Sequence, residues 1–142
     1  MSRLAQIEDA MIAALRAALP GVEVDTLPGP VEEAMRRTMR TPAVWVVYGG
    51  AKLQPNRAIS NFVIQRVEYT FFVLLLSKNL RSLKEGARGA YELLEAARVA
   101  LAGLETPGGV VSVSSEGLQQ AEGGLFIYTV TLTVTDEFRK KL

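Results

Sequence analysis

Hydrophobic and polar positions change period several times along this chain, and each change marks an element. Leu4, Ile7, Met11, Ala14, Leu15, Ala18 and Leu19 recur at helical spacing, so they predict an opening helix that Ser2 caps and Pro20-Gly21 stops. Alternation over residues 22–27 predicts a short strand ending at Pro28-Gly29-Pro30. Residues 31–40 suit a short helix, with Glu32 and Glu33 near its positive end and Arg36, Arg37 and Arg40 near its negative end. Pro42 forbids continuation, and residues 43–48 read as a strand that leads through Gly49-Gly50 to a polar loop around residues 54–57.

Residues 62–76 are the most informative run. Val63, Gln65, Val67, Tyr69, Phe71, Val73 and Leu75 share one face, while the other changes from Arg66, Glu68 and Thr70 to Phe72, Leu74 and Leu76. The first half therefore has a wet side and the second half is covered on both. At about 3.3 Å per residue the strand spans roughly 50 Å, twice a common strand, so part of it is expected to project and to need a partner.

Ser82-Leu-Lys-Glu85 is a capping box opening a second helix with an apolar stripe of Ala87, Ala90, Tyr91, Leu94, Ala97 and Leu101, ending near Gly103. Gly86 and Gly89 within it suggest close approach by another backbone, or a frayed first turn. Residues 110–114 and 125–134 read as a hairpin around a polar loop at 117–124, and residues 136–142 read as a fraying charged tail. This order predicts a single α+β domain over residues 1–142, a mainly antiparallel sheet with two principal helices packed on one face.

Composition removes whole chemistries. With no His and no Cys among 142 residues, there is no Ser-His-Asp triad, no thiolate nucleophile and no zinc site of nitrogen and sulfur ligands. The lack of Cys suits a cytosolic protein, and the longest strictly apolar run, residues 71–76, is far too short to cross a bilayer. Glu8, Asp9 and Arg16 interrupt the first apolar stretch, which reads as a helix and not as a signal peptide.

Motif by motif, catalysis finds no support. Gly49-Gly50-Ala51-Lys52 lacks phosphate-loop spacing, and Gly108-Gly109 reads as a turn. Glu32 and Glu33 are adjacent and point about 100° apart on a helix. Ser77 and Lys78 alternate faces on a strand, and Trp45 is core or interface. No enzyme and no cofactor is expected, although sequence alone leaves a small carboxylate hydrolase open.

Charge is balanced at 16 basic and 15 acidic residues, but unevenly placed. Residues 1–35 hold two basic residues and six acids, 36–88 hold ten and two, and 89–142 hold four and seven. A basic middle between acidic flanks suits either a nucleic-acid-binding module using residues 36–88 or copies of the chain touching head to tail. Arg36, Arg37 and Arg40 are expected to hold subunit contacts through charge. Lys52, Gln54, Asn56, Arg57, Arg66 and Glu68 are expected on the surface that reaches a neighbour or another partner.

The opening helix with Ile7-Glu-Asp-Ala-Met-Ile-Ala-Ala-Leu15, the strand Pro42-Ala-Val-Trp-Val-Val-Tyr48, and Phe72-Val-Leu-Leu-Leu-Ser-Lys-Asn-Leu-Arg-Ser82 running into Gly89-Ala-Tyr-Glu-Leu-Leu-Glu95 resemble the Mu-like phage and prophage tail terminators, or tail-completion proteins. The resemblance covers nearly the whole length and rests on structural motifs. It implies a homo-oligomeric ring, of six copies, on the head-proximal end of the tail tube of a phage or tailocin. Such a ring ends tube polymerisation and offers a surface to the head connector. Its implied partners are the tube protein and also sheath and neck proteins, with DNA only passing through and no membrane involved. Its implied place is the virion tail, assembled in the host cytoplasm.

Overall fold

The computed structural model describes residues 2–27, 42–78, 83–122 and 125–142. Helix α1 (Arg3–Ala18) is capped by Ser2, whose Oγ accepts from the Ala5 amide at 3.0 Å. Strand β1 (Glu23–Thr26) then lies parallel to β2 (Ala43–Leu53). The remaining strands are β3 (Arg57–Ile59), β4 (Phe62–Lys78), β5 (Glu105–Thr106), β6 (Gly109–Glu122) and β7 (Leu125–Lys141), with helix α2 (Leu83–Leu101) between β4 and β5. The sheet runs β1-β2-β4-β7-β6-β5, and β3 lies against β4 on the side that β2 occupies further along. Every pairing except β1–β2 is antiparallel, giving the expected α+β fold.

Both helices pack on one face. Ile7, Met11, Ile12 and Leu15 from α1 meet Leu93, Leu94, Ala97 and Leu101 from α2 over Val44, Val46, Phe71, Val73, Val130 and Leu132 of the sheet. Each such large side chain contributes about 1.5–3 kcal/mol on burial. Trp45, Leu74, Leu76, Ala43 and Ile127 form a second, smaller cluster. These residues alternate with the main core along β2, β4 and β7, so the second half of β4 is covered on both faces, as the double apolar alternation predicts.

Five expectations need correction. Strand β2 does not stop at Gly49-Gly50 but bulges there and continues to Leu53. A bulge admits an extra residue without ending the ladder, and here Gly49 leaves room for the Phe72 ring, 2.3 Å from where a Cβ would stand. Residues 117–122 belong to β6, which bulges at Ser114 and again near Gln119. Residues 136–141 do not fray but complete β7, because all 17 residues of β4 find register partners on the 17 of β7. On α2, Tyr91 is half exposed and Leu93 is buried in its place. A Cβ added at Gly89 would stand 3.3 Å from the Ser77 hydroxyl, so its close neighbour is a side chain and not a backbone. The expected helix at 31–40 and the capping residue Ser82 lie outside the described residues.

Candidate assembly surface

Beyond the helices the sheet continues as an arm. It consists of the last residues of β2, all of β3, the first half of β4 and the end of β7, and among the described residues β3 packs on β4 alone. A two-residue turn, Ser60-Asn61, closes the β3–β4 hairpin with Ser60 at φ 54°, and the Leu142 amide donates to the Asn61 carbonyl at 2.7 Å. At its base the Arg3 guanidinium lies 3.5 Å from the Asp136 carboxylate and also donates to the Pro107 carbonyl. The start of α1 therefore anchors the arm to the body.

Register assigns the arm two unlike faces, because side chains alternate along each strand. One face carries Lys52 opposite Glu68, Arg66 opposite Glu137, and Arg57 opposite Ile64 with Arg139 beyond it. The other continues the helix-covered side and carries Leu53, Val63, Phe138 and Lys140. Leu53 is 62% exposed, Phe138 52%, and Ile59 and Phe62 near the tip 51% and 44%. Large apolar groups so uncovered on one projection mark a contact surface.

The residues singled out by sequence fall as follows. Gln54, Arg57 and Arg66 line one open cleft with Pro55, Ile64 and Glu137. Lys52 and Glu68 sit one register step further toward the body, and Asn56 lies exposed in the short connection between β2 and β3. Arg36, Arg37 and Arg40 lie outside the described residues. Arg139, Lys140 and Lys141 escape sequence reasoning because residues 136–142 have the composition of a tail. The signal that could have found them is the unpaired length of β4, which demands a partner strand of equal reach.

Two tyrosines, Tyr69 and Tyr128, show perturbed ionisation. Burial pushes the Tyr69 phenol above its ordinary value of about 10, and the Asp136 carboxylate and Tyr48 add to the rise. Burial likewise raises Tyr128, helped by Tyr91. Above pH about 10 the unfolded chain gives up these protons first, so it binds fewer than the folded chain and stability falls as pH rises. A urea midpoint that declines from pH about 9.5 to 11 is expected; Tyr69 and Tyr128 both titrating at about 10 in the native protein would contradict it.

Among the described residues no group of three or more acidic side chains could hold a metal, and no helix is long and apolar enough to cross a membrane. What the fold defines is a two-layer α+β architecture with an exposed sheet arm. The family model described as Bacteriophage Mu, Gp37 matches residues 3–121, and the chain belongs to that family. No curated protein sequence matches it. Among solved structures, a chain in the virion of a native gene transfer agent particle is similar over 96% of this chain and 98% of its own, at TM-score 0.61 and 12% identity. That likeness shows a shared fold. The type 4 fimbrial biogenesis protein PilO from Pseudomonas aeruginosa aligns at TM-score 0.34 and 11% identity, over 66% of this chain and 58% of its own, too loosely to carry an argument.

Proposed function

We propose that this protein is a structural component of a phage, prophage or tailocin tail: a terminator forming a ring, of six copies, on the head-proximal end of the tail tube. The ring ends tube polymerisation and presents a joining surface to the head connector. Membership of a phage Mu family supports a phage role, and the fold shared with a gene transfer agent virion chain supports a place in the particle. The observation that carries the reading is the arm. A sheet extension with Leu53, Phe62 and Phe138 uncovered suits a subunit whose partners are other copies and the tube.

In this reading Lys52, Gln54, Asn56, Arg57, Arg66 and Glu68 face a neighbouring subunit or the tube protein, and Arg36, Arg37 and Arg40 add subunit contacts through charge. Sheath and neck proteins meet the finished ring, and DNA passes through it without being read. Mass photometry at micromolar concentration, with and without tube protein, tests the proposal. Closed oligomers are expected; a monomer under every condition would overturn it.

Nucleic-acid binding is the second reading, favoured by Lys52, Arg57, Arg66, Arg139 and Lys141 on one face of the arm. Glu68 and Glu137 stand among those cations and weaken a phosphate-tracking surface. A mobility shift whose affinity falls steeply with salt would favour this reading over the ring.

A further inference from the structure

Two surface features at opposite ends of α1 are complementary. At one end, the last residues of β7 bring Lys140 onto one face with Phe138 and the 72%-exposed Leu142, while Lys141 stands on the opposite face. Arg139 holds Glu137 at 2.9 Å, whereas Lys140 and Lys141 make no ion pair among the described residues. At the other end, Ala18 of α1 and Glu92, Glu95, Ala96, Val99 and Ala100 of α2 line an open groove. Val99 is 81% exposed there. Among the described residues Glu92 and Glu95 pair with no cation, since the nearby Arg98 is taken by Glu116.

The arm base meets Arg3 and the groove meets Ala18, and 15 steps of helix at about 1.5 Å each separate them by roughly 22 Å. One subunit therefore cannot satisfy its own pair without dismantling the arm.

We infer that the end of β7 docks in the α1–α2 groove of a second copy, with Lys140 meeting Glu92 and Glu95 and with Phe138 and Leu142, on the same face of the strand as Lys140, covering Val99 and the alanine floor. The inference rests on the ring reading and names the two surfaces that make its repeating contact. Because the patches differ, the contact is heterologous, so each copy gives an arm to one neighbour and receives one from the other. One cation meets two anions around a small apolar centre, a composition in which charge selects the partner and apolar contact holds it.

Charge exchange tests the pairing. The variants Glu92→Lys/Glu95→Lys and Lys140→Glu are each expected to weaken self-association about tenfold at low salt, because each sets like charges face to face. The variant carrying all three changes is expected to return to within about threefold of the parent. Circular dichroism confirms folding, and Glu92→Gln/Glu95→Gln gives a milder version with a smaller loss. Unchanged assembly in both reversed variants, or a combined variant no better than either, would overturn the inference while leaving the ring intact. Loss of tube binding with self-association unaltered would do the same and make the tube the arm's occupant. A parent that never oligomerises would instead remove the ring reading itself.

Discussion

Replacing Gly109 by Ala is expected to destabilise the protein by about 2–5 kcal/mol, enough to lower the melting temperature by on the order of 10 °C. Gly109 sits at φ +131°, which L side chains rarely adopt, and a Cβ there would stand 2.5 Å from the Thr135 carbonyl oxygen. The obstruction is backbone, so no rotamer change relieves it. Thr135 also lies in the middle of β7, where moving it would disturb pairing to Glu68 of β4. Gly109 ends the two-residue Pro107-Gly108 turn between β5 and β6, and its carbonyl accepts from Thr106 Oγ1 at 2.7 Å. Two comparisons isolate the cause. Gly117→Ala meets nothing within 4 Å and should change stability by less than about 0.5 kcal/mol. Gly49→Ala meets only the Phe72 ring, a side chain that can move, and should fall between them. Thermal melts of the three variants check the series; a Gly109→Ala melt equal to that of Gly117→Ala would show that the turn relaxes freely.

The same glycines show how far sequence reading reaches. Gly108-Gly109 is legible as a turn because no phosphate-binding spacing surrounds it, but the carbonyl that Gly109 must avoid belongs to Thr135, far along the chain. Period alone locates α1, the core of α2 and the doubly covered half of β4, since those elements bury residues at regular intervals. It fails where pairing, and not burial, sets the structure. Residues 117–121 and 136–141 are mostly polar and mostly exposed, so nothing in their composition distinguishes a strand from a loop. Their conformation is imposed by the ladder next to them. For the same reason the candidate surface is half legible: Gln54, Arg57 and Arg66 stand out as polar residues on or flanking β4, while Phe138 and Lys140, on the adjoining strand and the opposite face, do not.

That dependence leads to the second large effect. A chain ended at Thr135 is expected to keep its body and lose its arm. The cut spares Phe71, Val73, Val130, Leu132 and Val134, all fully buried, so the cooperative core remains. It removes the β7 partners of residues 62–67, the Leu142 bond to Asn61 and the Arg3–Asp136 ion pair. The freed hydrogen bonds are worth about 0.5–1.5 kcal/mol each but are largely offset by the entropy of releasing the removed segment, so melting should shift by only a few degrees, about 5 °C or less. The consequence for residues 57–66 is larger. With β3 only three residues long and no helix over it, the remaining hairpin is marginal in water, and its amides should exchange freely. Self-association should fall more than about tenfold, beyond what reversing Lys140 achieves, because apolar contact and charge are lost together. Hydrogen exchange on residues 57–66 beside mass photometry separates the outcomes. Exchange accelerated with assembly intact would place the subunit contact elsewhere on the body, and protected amides after the cut would mean that β3 and β4 form the arm without β7.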